Sequence, residues 1–151
     1  MSDKKVDLEP ILNRGREQLQ AGNFQASATL AQQCLESQPN NTDALYMLAV
    51  SQRYLQDIPS ALQTLNLLQI QDPTLGRAWQ EVGHCQIALK QTDEALQSFQ
   101  QAVQRNGSLL ASWQAIVHLT STIQQADWHQ RAVNQSGKLS GLPPALLSVR
   151  N

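Results

Sequence analysis

One interval, 34 residues, recurs in four series along this chain of 151, and it restricts the fold more than any other property of the sequence. Pro39 and Pro73 stand one interval apart, and Gly107 and Gly141 continue the same step. All four are residue types that end helices. Ile11, Leu45, Trp79 and Trp113 form a second series. Gly15, Ala49, Gly83 and Val117 form a third, small in three of its members. Ser27, Ala61, Ala95 and His129 form a fourth, small in the first three. The series share one phase and divide the chain into units 8–41, 42–75, 76–109 and 110–143. A period of this size marks supersecondary units that stack on one another. Residues 1–7 are left as an N-terminal tail, and 144–151 read as the start of a further helix that continues in a longer chain.

Inside each unit the apolar spacing is helical, with a break near the middle. Leu45, Leu48 and Ala49 share one face in the second unit; after Asp57, Ala61, Leu65 and Leu68 share another. Trp79, Val82 and Gly83, then Ala95, Phe99 and Ala102, repeat the pattern. Asn23, Asp57 and Thr92 stand where second helices should begin and can cap orphan backbone N–H groups. The expectation is therefore two antiparallel helices of about 12–14 residues per unit, joined by short turns. The small residues let the helices of a pair approach, and the large ones, Trp79 and Trp113 above all, fill the space between units. A lone pair cannot bury both faces, so each unit must stack on its neighbours.

The order aromatic-x-x-Val-Gly at Trp79–Gly83, followed by Ala95, Phe99, Ala102 and a terminal turn, resembles the tetratricopeptide repeat. The second unit (Leu45, Leu48, Ala49, Ala61, Leu65, Pro73) and the first (Gly15, Gly22, Asn23, Phe24, Pro39) are similar to it as well. The fourth departs from the pattern, with Val117 and His129 in place of small residues. The resemblance implies an all-α fold, a right-handed α-α superhelix of about four 34-residue helix pairs, that binds a protein or peptide in its concave groove. A narrower resemblance links Trp79–Cys85, Ala111–Ala115 and Leu142–Leu147 to bacterial proteins in which such repeats precede a sulfotransferase domain. On that alternative the chemistry lies beyond this chain, because no glycine-rich phosphosulfate-binding loop is present in it.

By the same resemblance, first-helix residues turn into the groove: Arg16, Tyr46, Val50, Arg53, Tyr54, Arg77, Gln80, His84, Gln114 and His118, with Glu9, Leu12, Leu19, Asp43 and Ile87 beside them. Arginine and tyrosine are enriched at binding hot spots. Repeats that clamp the carboxylate tail of heat-shock chaperones use basic and amide residues at places held here by Leu12, Arg16, Met47, Arg77 and Glu81. Only Arg77 suits that task in charge and place, which argues against such a clamp. His84 and His118 are one interval apart and occupy equivalent places, yet no Asp, Glu or Cys stands beside both. They read as hydrogen-bonding groove residues rather than a metal pair.

Composition narrows the remaining classes. A net charge of -1 gives no field to attract nucleic acid or an anionic membrane. The longest apolar run, Ala44 to Val50, is far below the ~20 residues of a membrane span. Cys34 falls in the slot of Leu68 and Ala102, and Cys85 follows Gly83 closely, so both read as packing residues. No paired carboxylates, nucleophile arrangement or metal cluster stands out, so no catalytic residue, metal or cofactor is expected. The reading is a cytoplasmic interaction module. Leu146, Leu147 and Val149 add an expectation of self-association through the C-terminal end, or of greater stability in a longer chain.

Overall fold

A computed structural model of the protein describes residues 7–120 and 126–141, and every regular element among them is a helix. These are α1 (Glu9–Gln20), α2 (Phe24–Ser37), α3 (Thr42–Tyr54), α4 (Ile58–Gln71), α5 (Gly76–Ala88), α6 (Thr92–Arg105), α7 (Leu110–Leu119) and α8 (Ala126–Ser140). Second helices begin at 24, 58, 92 and 126, so the interval of the sequence is also an interval of the backbone. The all-α class and the four helix pairs expected from the sequence are present. The chain divides into two compact units, Met1–Pro73 with α1–α4 and Thr74–Asn151 with α5–α8. Nearly all of the N-terminal tail, and the residues after Gly141 with the apolar trio 146, 147 and 149, lie outside the described residues.

The turn inside each of the first three pairs is built the same way. Gly22, Gln56 and Lys90 have φ of 80°, 65° and 61°, in the left-handed region. The next N–H, of Asn23, Asp57 and Gln91, donates to the carbonyl five residues back, at 2.8, 2.9 and 2.9 Å. The left-handed residue's own N–H reaches Leu19, Arg53 and Ile87. Helix-end carbonyls that would otherwise lack a partner are thereby satisfied, and the chain reverses within three residues. Only the first of these positions is a glycine. A left-handed glutamine or lysine carries no signal in the sequence.

The same turn explains why two of the three expected caps are absent. Asn23, Asp57 and Gln91 are held at ψ of 71°, 71° and 73°, outside the extended region from which a cap side chain usually reaches back. Asp57 still accepts from Ser60 N–H at 3.4 Å, but Asn23 donates its amide to Gln18 Oε1. Thr92 is the first residue inside α6, with Gln91 as the cap residue. A cap the sequence reading passed over is Asn41, whose extended backbone lets Oδ1 accept from Ala44 N–H at 3.0 Å.

Packing follows the small-residue series in part. Ser27 Oγ donates to the Gly15 carbonyl at 3.0 Å across α1 and α2. At Gly83 a Cβ would stand 2.8 Å from the Phe99 ring, so α5 and α6 meet there. Gly15 differs from expectation. Its missing Cβ leaves room for Met47 Sδ, on α3, rather than chiefly for the partner helix α2. Gly76, outside every series, lies so close to α6 that a Cβ would come within 2.8 Å of the Ala102 carbonyl oxygen. Thr64 Oγ1 donates to Gln52 Oε1 and Ser98 Oγ to Gln86 Oε1, a side-chain bond repeated one interval on. Cys34, Leu68 and Ala102 are fully buried, in the shared slot assigned to them.

The three tryptophans all belong to the second unit, and they are used differently. Trp113 is 3% exposed, packs with Phe99, Val103 and Ile116, and donates Nε1–H to the Gly107 carbonyl at 2.8 Å. Trp79 is only partly buried, which corrects its expected role as a fully enclosed filler. Its Nε1 is buried with no hydrogen-bond partner among the described residues, and the Arg105 guanidinium lies 4.8 Å from its ring centre. The fourth pair is irregular where the sequence departs from the repeat. Helix α7 has 10 residues, and buried Thr120, which donates to the Ile116 carbonyl, lies 3.4 Å from His129 Nδ1.

Two stability outcomes follow from these geometries. Gln56→Gly and Lys90→Gly each relieve a left-handed side-chain residue and should stabilise the fold by up to about 1 kcal/mol net of glycine's chain entropy, seen as a higher melting temperature. Gly83→Leu must displace the Phe99 ring and should cost about 1–3 kcal/mol in a denaturant melt.

Candidate functional site

In the first unit, Arg16 stands between two acids that begin neighbouring first helices. Its Nη1 is 3.9 Å from Glu9 Oε2 and its Nη2 is 3.8 Å from Asp43 Oδ2, while Nη1 also donates to Asn13 Oδ1 at 2.8 Å. All three charged side chains keep 42% or more of their surface, so the ion pairs contribute at most about 1 kcal/mol. Arg16 is therefore shared with α1 and α3 rather than presented alone. Toward the other end of α3, the Arg53 guanidinium lies 4.4 Å from the Tyr54 ring centre. Tyr54 stacks in turn on Phe24, with centroids 4.4 Å apart and planes 3° from parallel. Tyr54 keeps 51% of its surface and Tyr46 is half-buried. Val50 and Leu12 are buried, so these two predicted groove positions belong to the core.

In the second unit, Arg77, Gln114 and His118 are exposed. Gln80 is half-buried, and its Oε1 accepts from Ser112 Oγ at 2.7 Å, tying α5 to α7. His84 sets the edge of its ring against Phe99, with centroids 5.2 Å apart, and is half-buried. The two histidines one interval apart are thus unlike: one packs on the core and one faces solvent. Leu12, Met47 and Glu81, three of the places a chaperone-tail clamp would use, are buried, leaving Arg16 and Arg77 at the surface. Glu81 as a buried carboxylate was not foreseen, since its position in the sequence looked like any polar first-helix site.

Cys34 and Cys85 are buried thiols, and burial pushes the Cys34 thiol up, away from the reactive thiolate. Among the described residues no three His, Cys, Asp or Glu side chains are grouped to hold a metal ion, and no helix is long and apolar enough to cross a membrane. Sequence reasoning also missed the pairing of arginines with tryptophans. Arg131 lies 5.0 Å from the Trp128 ring centre and 5.7 Å from that of Trp113. Contacts such as those of Arg131 with Trp113 and Arg105 with Trp79 join residues on different helices, and no spacing rule marks them.

Two family models described as tetratricopeptide repeat match the chain, at residues 12–75 and 76–108, together more than half of its length. No curated protein matches the sequence. A thermophilic TPR protein of Thermus thermophilus is similar in structure, with a TM-score of 0.77 at 19% identity over 89% of this chain and 75% of that one. MamA of Desulfovibrio magneticus gives 0.68 at 21% identity, covering 90% and 75%. An O-GlcNAc transferase of Thermobaculum terrenum gives 0.77 at 15% identity, covering 87% of this chain but 26% of that one. At these identities the likeness is one of fold. Neither family match carries a sulfotransferase region, so the narrower resemblance gains no support.

The unequal tryptophans yield a direct check. Trp113→Ala removes a fully enclosed ring and an anchored indole, and should cost about 3–5 kcal/mol. Trp79→Ala should cost clearly less than about 3 kcal/mol, because its ring is partly exposed and its N–H is unpaired. Equal losses in parallel melts would contradict this difference.

Proposed function

The chain belongs to the tetratricopeptide-repeat family, and from that premise we propose that it is a scaffold whose first helices bind a peptide or helix of a partner protein. Tetratricopeptide repeats are typically protein-interaction scaffolds, and the family supplies the coarse reading. What supports the finer one is the division of labour on α5 and α7. Their small, aromatic and aliphatic positions (Gly83, Trp113, Ile116) are used in packing, whereas Arg77, Gln114 and His118 remain exposed. These three side chains offer hydrogen-bond donors and fixed charge without a core role, and arginine is enriched at binding hot spots. Tyr54, backed by Phe24 and Arg53, offers a rigid aromatic face in the first unit. Aromatic faces of this kind contribute contact area at low entropic cost. Arg16, Tyr46, Gln80 and His84 also stand on first helices, each already held by a neighbour or half-buried. No catalytic role is proposed for the chain. Its work, on this reading, is done as a cytoplasmic module.

The test uses a partner captured by the protein and the affinity of that purified pair. Arg77→Glu combined with His118→Ala should weaken it by about thirtyfold, a loss of about 2 kcal/mol. Stability should move by less than about 0.5 kcal/mol, as for other surface changes. Gln97→Glu with Gln104→Glu, on the exposed side of α6, should leave affinity unaltered. If the α6 pair disrupts binding and the first-helix pair does not, the partner sits elsewhere and the proposal fails.

A further inference from the structure

Asn106 is the only asparagine of this chain that is followed by glycine, and it lies in the turn between α6 and α7. Three features of that turn bear on its side-chain amide. Asn106 Oδ1 accepts twice from Ser108, from the N–H at 3.0 Å and from the hydroxyl at 2.6 Å. Gly107 is exposed, and its N–H donates to no backbone carbonyl among the described residues. Around the place a Gly107 Cβ would take, the only atom of the described residues within 4 Å beyond its chain neighbours is the Val103 carbonyl oxygen, at 3.9 Å. An unbonded backbone nitrogen beside an unhindered Cα is the nucleophile that cyclises onto a preceding asparagine. The two Ser108 donors point at the oxygen on which negative charge develops as the amide carbon becomes tetrahedral, and preorganised donors of that kind lower such barriers.

We propose that Asn106–Gly107 is a site of spontaneous deamidation, with Ser108 as its positioning residue. The Gly107 nitrogen, losing its proton, forms a bond to Asn106 Cγ. The bond from Cγ to the side-chain nitrogen breaks, and that nitrogen leaves as ammonia, carrying the proton given up by Gly107. A five-membered succinimide remains. Water then opens it at Cγ, giving aspartate, or at the backbone carbonyl carbon, giving isoaspartate with the chain rerouted through the side chain. The net exchange is amide plus water for acid plus ammonia, with no oxidant or reductant.

The position gives the change a structural consequence. The Gly107 carbonyl holds Trp113 Nε1–H at 2.8 Å, the anchor by which α7 begins. Isoaspartate places an extra backbone methylene directly before Gly107 and draws that carbonyl off its partner. Deamidation therefore loosens the fourth helix pair as the protein ages.

The experiment incubates the intact protein in warm, mildly alkaline buffer and follows it by peptide mapping and isoaspartate-specific methylation. Asn106 should gain the mass of an amide-to-acid exchange before Asn13, Asn23, Asn40, Asn41, Asn66 or Asn134 does. Gly107→Ala has room for its Cβ and should keep the fold while slowing conversion several-fold. Ser108→Ala should slow it as well, and the converted fraction should melt at a lower temperature than fresh protein. An Asn106 that keeps its amide while another asparagine converts would overturn the site. Conversion in Gly107→Ala at the original rate would overturn the route, and undiminished conversion in Ser108→Ala would overturn the part given to Ser108.

Discussion

The left-handed residue at 22, 56 and 90 is the constraint on which the rest of the architecture depends. A helix that ends in any other way would need a longer connection, and the second helix could not start two residues later at 24, 58 and 92. With the reversal fixed by two backbone bonds, the side chains that meet across the pair are fixed as well. Gln52 then faces Thr64, and Gln86 faces Ser98, at nearly the same separation. Gly83 falls opposite Phe99 for the same reason. Two of the three left-handed positions carry side chains, so the turn is held against its local conformational cost by the contacts it creates.

Much of this was readable from residue types and spacing. First helices begin at Thr42, Gly76 and Leu110, one interval apart, because the series of small and large residues records which faces must meet. The burial of Cys34 followed from its equivalence to Leu68 and Ala102. What spacing could not convey was the conformation of single residues and the reach of long side chains. Asn23 and Thr92 look like caps in sequence, but the preceding turn sets the backbone before a side chain can act. Gly15 looked like a contact for its partner helix alone, and it accommodates a methionine from α3 as well.

The groove positions show the same division. The family resemblance placed Val50, Gln80, His84 and His118 on the groove face, yet each is used differently: buried, bonded to Ser112, packed on Phe99, or exposed. Periodicity identifies a face; only neighbours decide whether a residue on it is available. Arg16 illustrates the point, being tied to Glu9 and Asp43 although its place in the repeat matches that of other groove residues. The residues left over after packing, chief among them Arg77, Gln114, His118 and Tyr54, make a shorter and more useful set than the face as a whole.

The placement of aromatic residues has an optical consequence. Trp79, Trp113 and Trp128 all lie in the second unit, whereas both tyrosines, Tyr46 and Tyr54, lie in the first. Light absorbed only by indole therefore excites one half of the chain, and its emission is blind to the other. Helical dichroism at the peptide bands sees both halves together. A chain that melts as one body must show the two signals coinciding, and a chain whose halves part company must show them diverge. The native sequence thus carries its own reporter of cooperativity, with no label to introduce.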